Sequence, residues 1–539
     1  MNAPVARPSY QARVARRSLP AWLLRAIASD VLVAPVTFAV YLATLAPGVV
    51  GFDSAEFATG AYTLGIVHPT GYPLYLLLAK LFTFLPVGSV AYRVNLLSAC
   101  SASVTAWLVA RLAVRLTGKR WAAWLAAGLL AFSISYWRMA VVAEVYTLHA
   151  VFTALLLWLL ERLAATGNPR WLDRLALVFG LSMTNHVSTV FFAPAIALVV
   201  LRVIPVRAVL RNAPRLLVLL VLGLTPYLYF PLRSASNPAL NYVGSYYQVD
   251  LGTLEGMWWM VSGQAYRFFA FGYDLIGYGK EFLAFGTQLL RNYTGVGVVL
   301  GVLGVVHLMR RRSLFAWASV LPFLLTVSFY AGYAVADKST MFLGAYLIWA
   351  LWIAEGAAVA LRAVQRLGSR VGADPRWLGL VARATFGTVV AAMCLANWGW
   401  ADLSDHHDPE IFALQALGTL QPDAVVVGPW STAVILEYYQ IVEGMRPDVV
   451  IINRSRFEVA QYYSLWRLGF PRDQAMRAIA REEAGLLARA SDRGPVYMLE
   501  YDPRFAAEYE YLPVGNLFRL LPRKESAGYA VCNRRSEEN

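Results

Sequence analysis

The sequence predicts a mainly α-helical, polytopic membrane protein carrying a C-terminal α/β soluble domain, and three observations predict it. Apolar runs long enough to cross a bilayer recur from residue 29 to residue 400. Basic residues fall in small clusters between those runs instead of forming one stripe. Beyond about residue 401 the pattern changes to short strands alternating with helices. Composition agrees with the first observation. Of 539 residues, 58% are apolar and 15% charged, with a mean hydropathy of +0.51, well outside the soluble norm. The scatter of basic residues means that the net charge of +14 indicates cytoplasmic loops and no nucleic-acid partner.

A hydrocarbon core of about 30 Å needs roughly 20 apolar residues per helix. Runs that approach this lie near 29–47, 93–117, 121–140, 145–165, 172–186, 188–206, 214–232, 293–309, 314–335, 339–361 and 378–400, giving about eleven spans. No small-residue cleavage site follows the first run, which reads as an uncleaved membrane helix preceded by Arg7, Arg13, Arg16 and Arg17. With the N-terminus in the cytoplasm, Arg111 to Arg120, Arg162 to Arg174, Arg202 to Arg215, Arg310 to Arg312 and Arg362 to Arg370 all fall inside, as the positive-inside rule requires. An odd number of spans then leaves the tail outside. The expected organisation is a membrane domain over 1–400 and an extracytoplasmic α/β domain over 401–539, set in the inner (plasma) membrane.

Three regions lie outside by this reading: 48–92, 233–292 and the tail. The piece 72–85 is too short to span and contains Lys80, so it reads as interfacial. In the tail, 424–430, 448–455, 495–501 and 529–534 read as strands of a largely parallel sheet, with a helix over 431–445. No GxGxxG or Walker loop is present to support nucleotide binding. Cys100, Cys394 and Cys532 are too scattered for a disulfide framework or a zinc site.

The chemistry-bearing residues cluster at outer helix ends. Asp53 and Glu56 are three apart, so one helical turn places both on one face; alternatively, Asp53 caps a helix beginning at Ser54 with Glu56 as capping partner. His68 sits in the rigid turn His-Pro-Thr-Gly-Tyr-Pro, where Gly71 is able to take positive φ. Glu144 lies at the outer end of the third span, where an ionisable group marks function or an ion pair, here with Arg138. His186 falls at an outer junction, and Arg233 opens the large outer loop as one of few outward cations, suited to a phosphate. Asp337 and Lys338 stand in the last outer loop, where mutual pairing is the simpler account.

The segment GFDSAEFATGAYTLGIVHPTGYPLY (51–75), followed by RVNLLSA, AVVAEVYTLHA, SASNPALNY and SGQAY, resembles a family of multi-pass membrane proteins that includes an animal protein O-mannosyltransferase, transmembrane protein 260. The resemblance runs over roughly residues 30–360. It implies a GT-C-like glycosyltransferase that uses a polyprenyl-phosphate sugar, with a carboxylate of the first outer loop handling the acceptor. Asp53 is then the general base and Glu56 its supporting carboxylate. His68, Tyr72, Arg138, Glu144, His186, Arg233 and Asp337 form the expected substrate-binding set, with His186 and Arg233 on the phosphate.

The expected activity is transfer of a sugar from a polyprenyl phosphate to a protein or glycan hydroxyl on the extracytoplasmic side; mannose follows from the animal relative alone. The expected partners are the lipid-linked sugar, the acceptor and membrane lipid. No cofactor is required, because the leaving group is already a phosphate; a divalent metal could serve, but no residue pattern indicates one. A transporter or flippase of lipid-linked sugars is the main alternative. It calls for polar groups near the bilayer midplane and matching broken helices. A non-catalytic scaffold whose tail binds glycans is a third.

Overall fold

The computed structural model describes residues 30–311, 313–335 and 338–523. Its helices are α1 (Val33–Ala43), α2 (Asp53–Thr63), α3 (Pro73–Phe82), α4 (Val90–Thr117), α5 (Arg120–Ala131), α6 (Ile134–Ala140), α7 (Val145–Thr166), α8 (Arg170–Met183), α9 (Ala193–Val203), α10 (Val206–Leu224), α11 (Tyr229–Ala235), α12 (Leu254–Val261), α13 (Leu275–Arg310), α14 (Leu314–Ala331), α15 (Leu343–Arg370) and α16 (Pro375–Ala401). Each of the expected apolar runs is a helix or a pair of helices. Among the described residues, seven helical stretches are long and apolar enough to cross a membrane, and Asp30–Ala43, Pro73–Phe82 and Val187–Val203 are shorter apolar helices. The run 121–140 is broken into α5 and α6.

Two kinds of surface show why these helices assemble in a bilayer. α10, α13 and α16 turn large apolar side chains outward, among them Leu217, Val221, Val299 and Leu395, the face a lipid tail solvates. Elsewhere small residues let backbones meet. A Cβ on Gly304 of α13 would lie 1.9 Å from the Trp352 carbonyl of α15, and one on Gly356 would lie 1.8 Å from the Leu300 carbonyl. Glycine is the residue that fits such a crossing.

One end of the bundle is tied by ion pairs among the basic clusters: Arg111 with Asp30, Arg115 with Glu161 and Arg215 with Asp173. The opposite end carries the short helices α2 and α3, the aromatic segment 236–274 and the C-terminal α/β unit.

That unit comprises α17 (Asp408–Thr419), β1 (Val425–Gly428), α18 (Trp430–Ile441), β2 (Val450–Asn453), α19 (Arg454–Arg467), α20 (Arg472–Ser491), β3 (Val496–Met498), β4 (Tyr509–Val514) and β5 (Leu517–Pro522). The strand order is β2-β1-β3-β5-β4. β2, β1 and β3 are parallel, as expected, but β5 joins β3 antiparallel and forms a hairpin with β4, so the sheet is mixed. Pro513 within β4 removes a ladder donor, which hid this edge strand from a reading based on pattern. The strand expected over 529–534 lies outside the described residues. The unit docks through Trp259 Nε1–H donating to Tyr463 Oη (2.8 Å), Ala91 N–H donating to Tyr438 Oη (3.2 Å) and the Tyr242 hydroxyl donating to Glu437.

Candidate active site

The chain leaves α1, turns through Pro47-Gly48 and enters α2 at Phe52, which holds φ +66° and packs edge-on against Trp430 of the C-terminal unit. A positive φ on a bulky residue is held by its surroundings and is concentrated at functional sites. Asp53 is the first helical residue, not the cap, and no side chain caps this helix. The capping-box alternative is therefore not adopted; Asp53 and Glu56 share one face of the first turn. At the far end of α2 the Arg233 guanidinium donates to the Leu64 and Thr63 carbonyls at 2.7 and 3.1 Å, filling the acceptors a helix terminus leaves open.

The turn that follows brings His68 back onto this face. Gly71 takes φ +85°, and a Cβ there would lie 2.5 Å from Met260 and Phe230. Glu56 is buried. Its Oε1 accepts from the His68 backbone N–H at 2.7 Å and lies 2.8 Å from His68 Nδ1, while its Oε2 accepts from Arg456 Nη2 at 2.6 Å. His68 Nδ1 is also 3.5 Å from Asp53 Oδ1, and its Nε2 is 3.3 Å from the Tyr72 hydroxyl. Burial alone would raise the Glu56 pKa, but the charges of Arg456 and His68 outweigh it and hold the carboxyl below the usual range. For His68, burial opposes the charged form, yet Glu56 and Asp53 outweigh that and raise its pKa. Glu56, His68 and Arg456 form one mutually bonded cluster at a helix start.

Asp53, His68, Tyr72 and His186 line one cavity of about 610 Å³, a size suited to a small ligand. Its other walls are aromatic (Tyr146, Tyr266, Tyr330 and Tyr333) and include Arg267. The C-terminal unit adds Trp430, Ser455, Arg456 and Val459. His186 is fixed through Ser188, whose Oγ is 2.8 Å from His186 Nδ1 and 3.2 Å from His149 Nε2. Ligand atoms of Asp53, Glu56 and His68 lie within 4.8 Å of one another, a set that could hold a cation. Arg456 already supplies positive charge to Glu56, so a metal would compete with an ion pair that is in place.

The remaining expected residues sit elsewhere. Arg233, expected on a phosphate, does not line the cavity; its guanidinium is bonded to the end of α2. Arg138 is exposed on α6 and outside the lining, whereas Glu144 is buried at the start of α7 behind Tyr146, its backbone bonded to Ser98. Asp337 lies outside the described residues, and Lys338 pairs with Glu281 at 2.9 Å. Two further cations, Arg267 and Arg456, line the cavity and stand outside the expected set. Arg267 follows the SGQAY segment, and Arg456 falls just past the carboxyl end of β2, the place where open α/β sheets bind ligands.

The multi-pass helical bundle, with short helices and an α/β unit sharing a cavity at one end, has a GT-C-like membrane protein fold. The structure of ArnT from Cupriavidus metallidurans, bound to undecaprenyl phosphate, superposes with a TM-score of 0.53 over 93% of this chain and 98% of that one, at 14% identity. Residues 53–206 match the family model of the Protein O-mannosyl-transferase TMEM260 N-terminal domain. The Mus musculus Protein O-mannosyl-transferase TMEM260 is 27% identical over 93% of this chain and 76% of its own length. The Dictyostelium discoideum protein of that name is 22% identical, over 90% and 66%. The family resemblance and the GT-C-like fold expected from the sequence are both borne out.

Proposed function

We propose that the chain transfers a sugar from a polyprenyl phosphate to a hydroxyl of a protein or glycan on the extracytoplasmic face of the membrane, with Asp53 as general base. The observation that carries this reading is the placement of the two carboxylates. Asp53 lines the cavity, 3.5 Å from His68 Nδ1, whereas Glu56 lies outside the lining and bridges His68 and Arg456. A positioned carboxylate of this kind can take the proton of an attacking hydroxyl. As the acceptor oxygen bonds to the anomeric carbon, the bond from that carbon to the phosphate oxygen breaks, its electron pair leaves with the polyprenyl phosphate, and the configuration inverts. Arg267 forms no ion pair among the described residues and lines the cavity, so it replaces Arg233 as the cation facing the leaving phosphate. The fold shared with a protein crystallised with undecaprenyl phosphate supports a lipid-phosphate donor. The names of the mouse and Dictyostelium relatives support a protein acceptor and mannose.

The test is incubation of purified protein with radiolabelled polyprenyl-phosphate sugars and cell-envelope acceptors. Label should reach the acceptor with the unmodified protein and not with Asp53→Asn. Movement of labelled lipid across proteoliposomes with no transfer would assign a transporter instead.

A further inference from the structure

The C-terminal unit shares its cavity with the membrane helices, and the sheet topology accounts for this. From β1 the chain crosses through α18 to β2, then through α19 and α20 to β3 on the other side of β1. The winding therefore reverses at β1, and open α/β sheets bind ligands at the carboxyl ends of the strands at such a reversal. The residues following those ends here are Trp430, after β1, and Ser455 and Arg456, after β2, and all three line the cavity onto which Asp53 opens.

Arg456 is 7% exposed. A buried guanidinium is costly unless it is paired and its donors are used. Its Nη2 lies 2.6 Å from Glu56 Oε2, its Nη1 lies 2.6 Å from the Tyr266 hydroxyl, and its plane stands over the Trp430 ring at 4.9 Å. Docking alone does not require this arrangement, because the contacts of Tyr463, Tyr438 and Glu437 already hold the unit without burying an arginine. The charge is directed at the carboxylate whose other oxygen fixes His68, and His68 in turn lies beside Asp53.

Resting on the glycosyltransfer reading, we infer that Arg456 is a positioning residue of that reaction: through Glu56 and His68 it sets Asp53, so the C-terminal unit is an integral half of the active site. With Arg456 on one oxygen and His68 on the other, Glu56 is fixed outside the cavity lining, and its bond to His68 holds the imidazole 3.5 Å from Asp53. A lysine supplies the charge without the planar fork that reaches Glu56 and Tyr266 together.

The experiment measures transfer kinetics of the full-length chain, with Arg456→Lys, Arg456→Ala, Glu56→Gln, the Arg456→Ala/Glu56→Gln double variant and Asp53→Asn in one assay. Folding of each is checked by size exclusion and melting. Arg456→Lys should lose about 10–100-fold in kcat, with the donor KM moving less than about threefold. The double variant should be no slower than the slower single, since both changes break one chain of contacts. Arg456→Lys turning over at the unmodified rate, or a double variant whose loss is the product of the singles, overturns the assignment and leaves Asp53 standing. Full activity in Asp53→Asn overturns the base, and the role of Arg456 with it.

Discussion

The two ends of the bundle use charge in opposite ways. At the basic end, Arg115 meets Glu161 at 2.6 Å and Arg215 meets Asp173 at 2.7 Å, but the arginines are well exposed. Such pairs at an exposed surface are screened and worth little. At the other end, Glu56, His68 and Arg456 are buried, and each makes contacts that the others complete. Burying that many ionisable groups is costly unless every partner is present. The difference separates surface charge that solvent can satisfy from a buried cluster whose members depend on one another.

The largest expected effect is at the second end. Asp53→Asn should lower kcat by about 10²–10⁴-fold, the usual share of a positioned base, with little change in melting temperature. Glu56→Gln should act on stability as well. It leaves Arg456 buried without its counter-charge, at about 3–5 kcal/mol, seen as a lower melting temperature at neutral pH. The Glu56 carboxyl titrates below its usual value of 4.5, so its contribution is present above that pH and fades as the pH falls. The two proteins should therefore converge on acidification.

A subtler effect concerns Glu437 of α18, which burial pushes up to about 8. A raised acid stabilises most below its unfolded value of 4.5 and loses that contribution as the pH climbs toward about 8. Glu437→Gln keeps the shape of the neutral acid, so it should flatten the melting profile across that window and raise the melting temperature at pH 9 by ~2–4 °C. Arg115→Ala, at the basic end, should change stability by less than about 1 kcal/mol and leave transfer unchanged. A large loss there would erase the contrast between the two ends.

Much of this contrast was legible in the sequence. The apolar runs, the parity of the basic clusters and the clustering of Asp53, Glu56 and His68 follow from periodicity and local spacing, which a sequence displays directly. The strands β1, β2 and β3 were readable as short β-branched runs between turn residues. The partner of Glu56 was not, because Arg456 stands 400 residues away and only the docking of the C-terminal unit brings them together. Arg233 misled for the converse reason. A cation at a loop entrance is suited to a phosphate or to the end of a helix, and in the structure the open carbonyls of Thr63 and Leu64 take its donors. The β4–β5 hairpin was obscured by Pro513 and by an edge strand whose exposed residues blur the alternation.

The proposed role of Asp53 is to take the proton in a lipid-linked glycosyl transfer. Initial rates of label transfer from a radiolabelled polyprenyl-phosphate sugar, measured for the unmodified protein, Asp53→Asn and Arg115→Ala at matched folded concentration, test it most directly. With Asp53 as the base, Arg115→Ala keeps the unmodified rate while Asp53→Asn falls by at least about 10²-fold. Equal rates for all three proteins would contradict it.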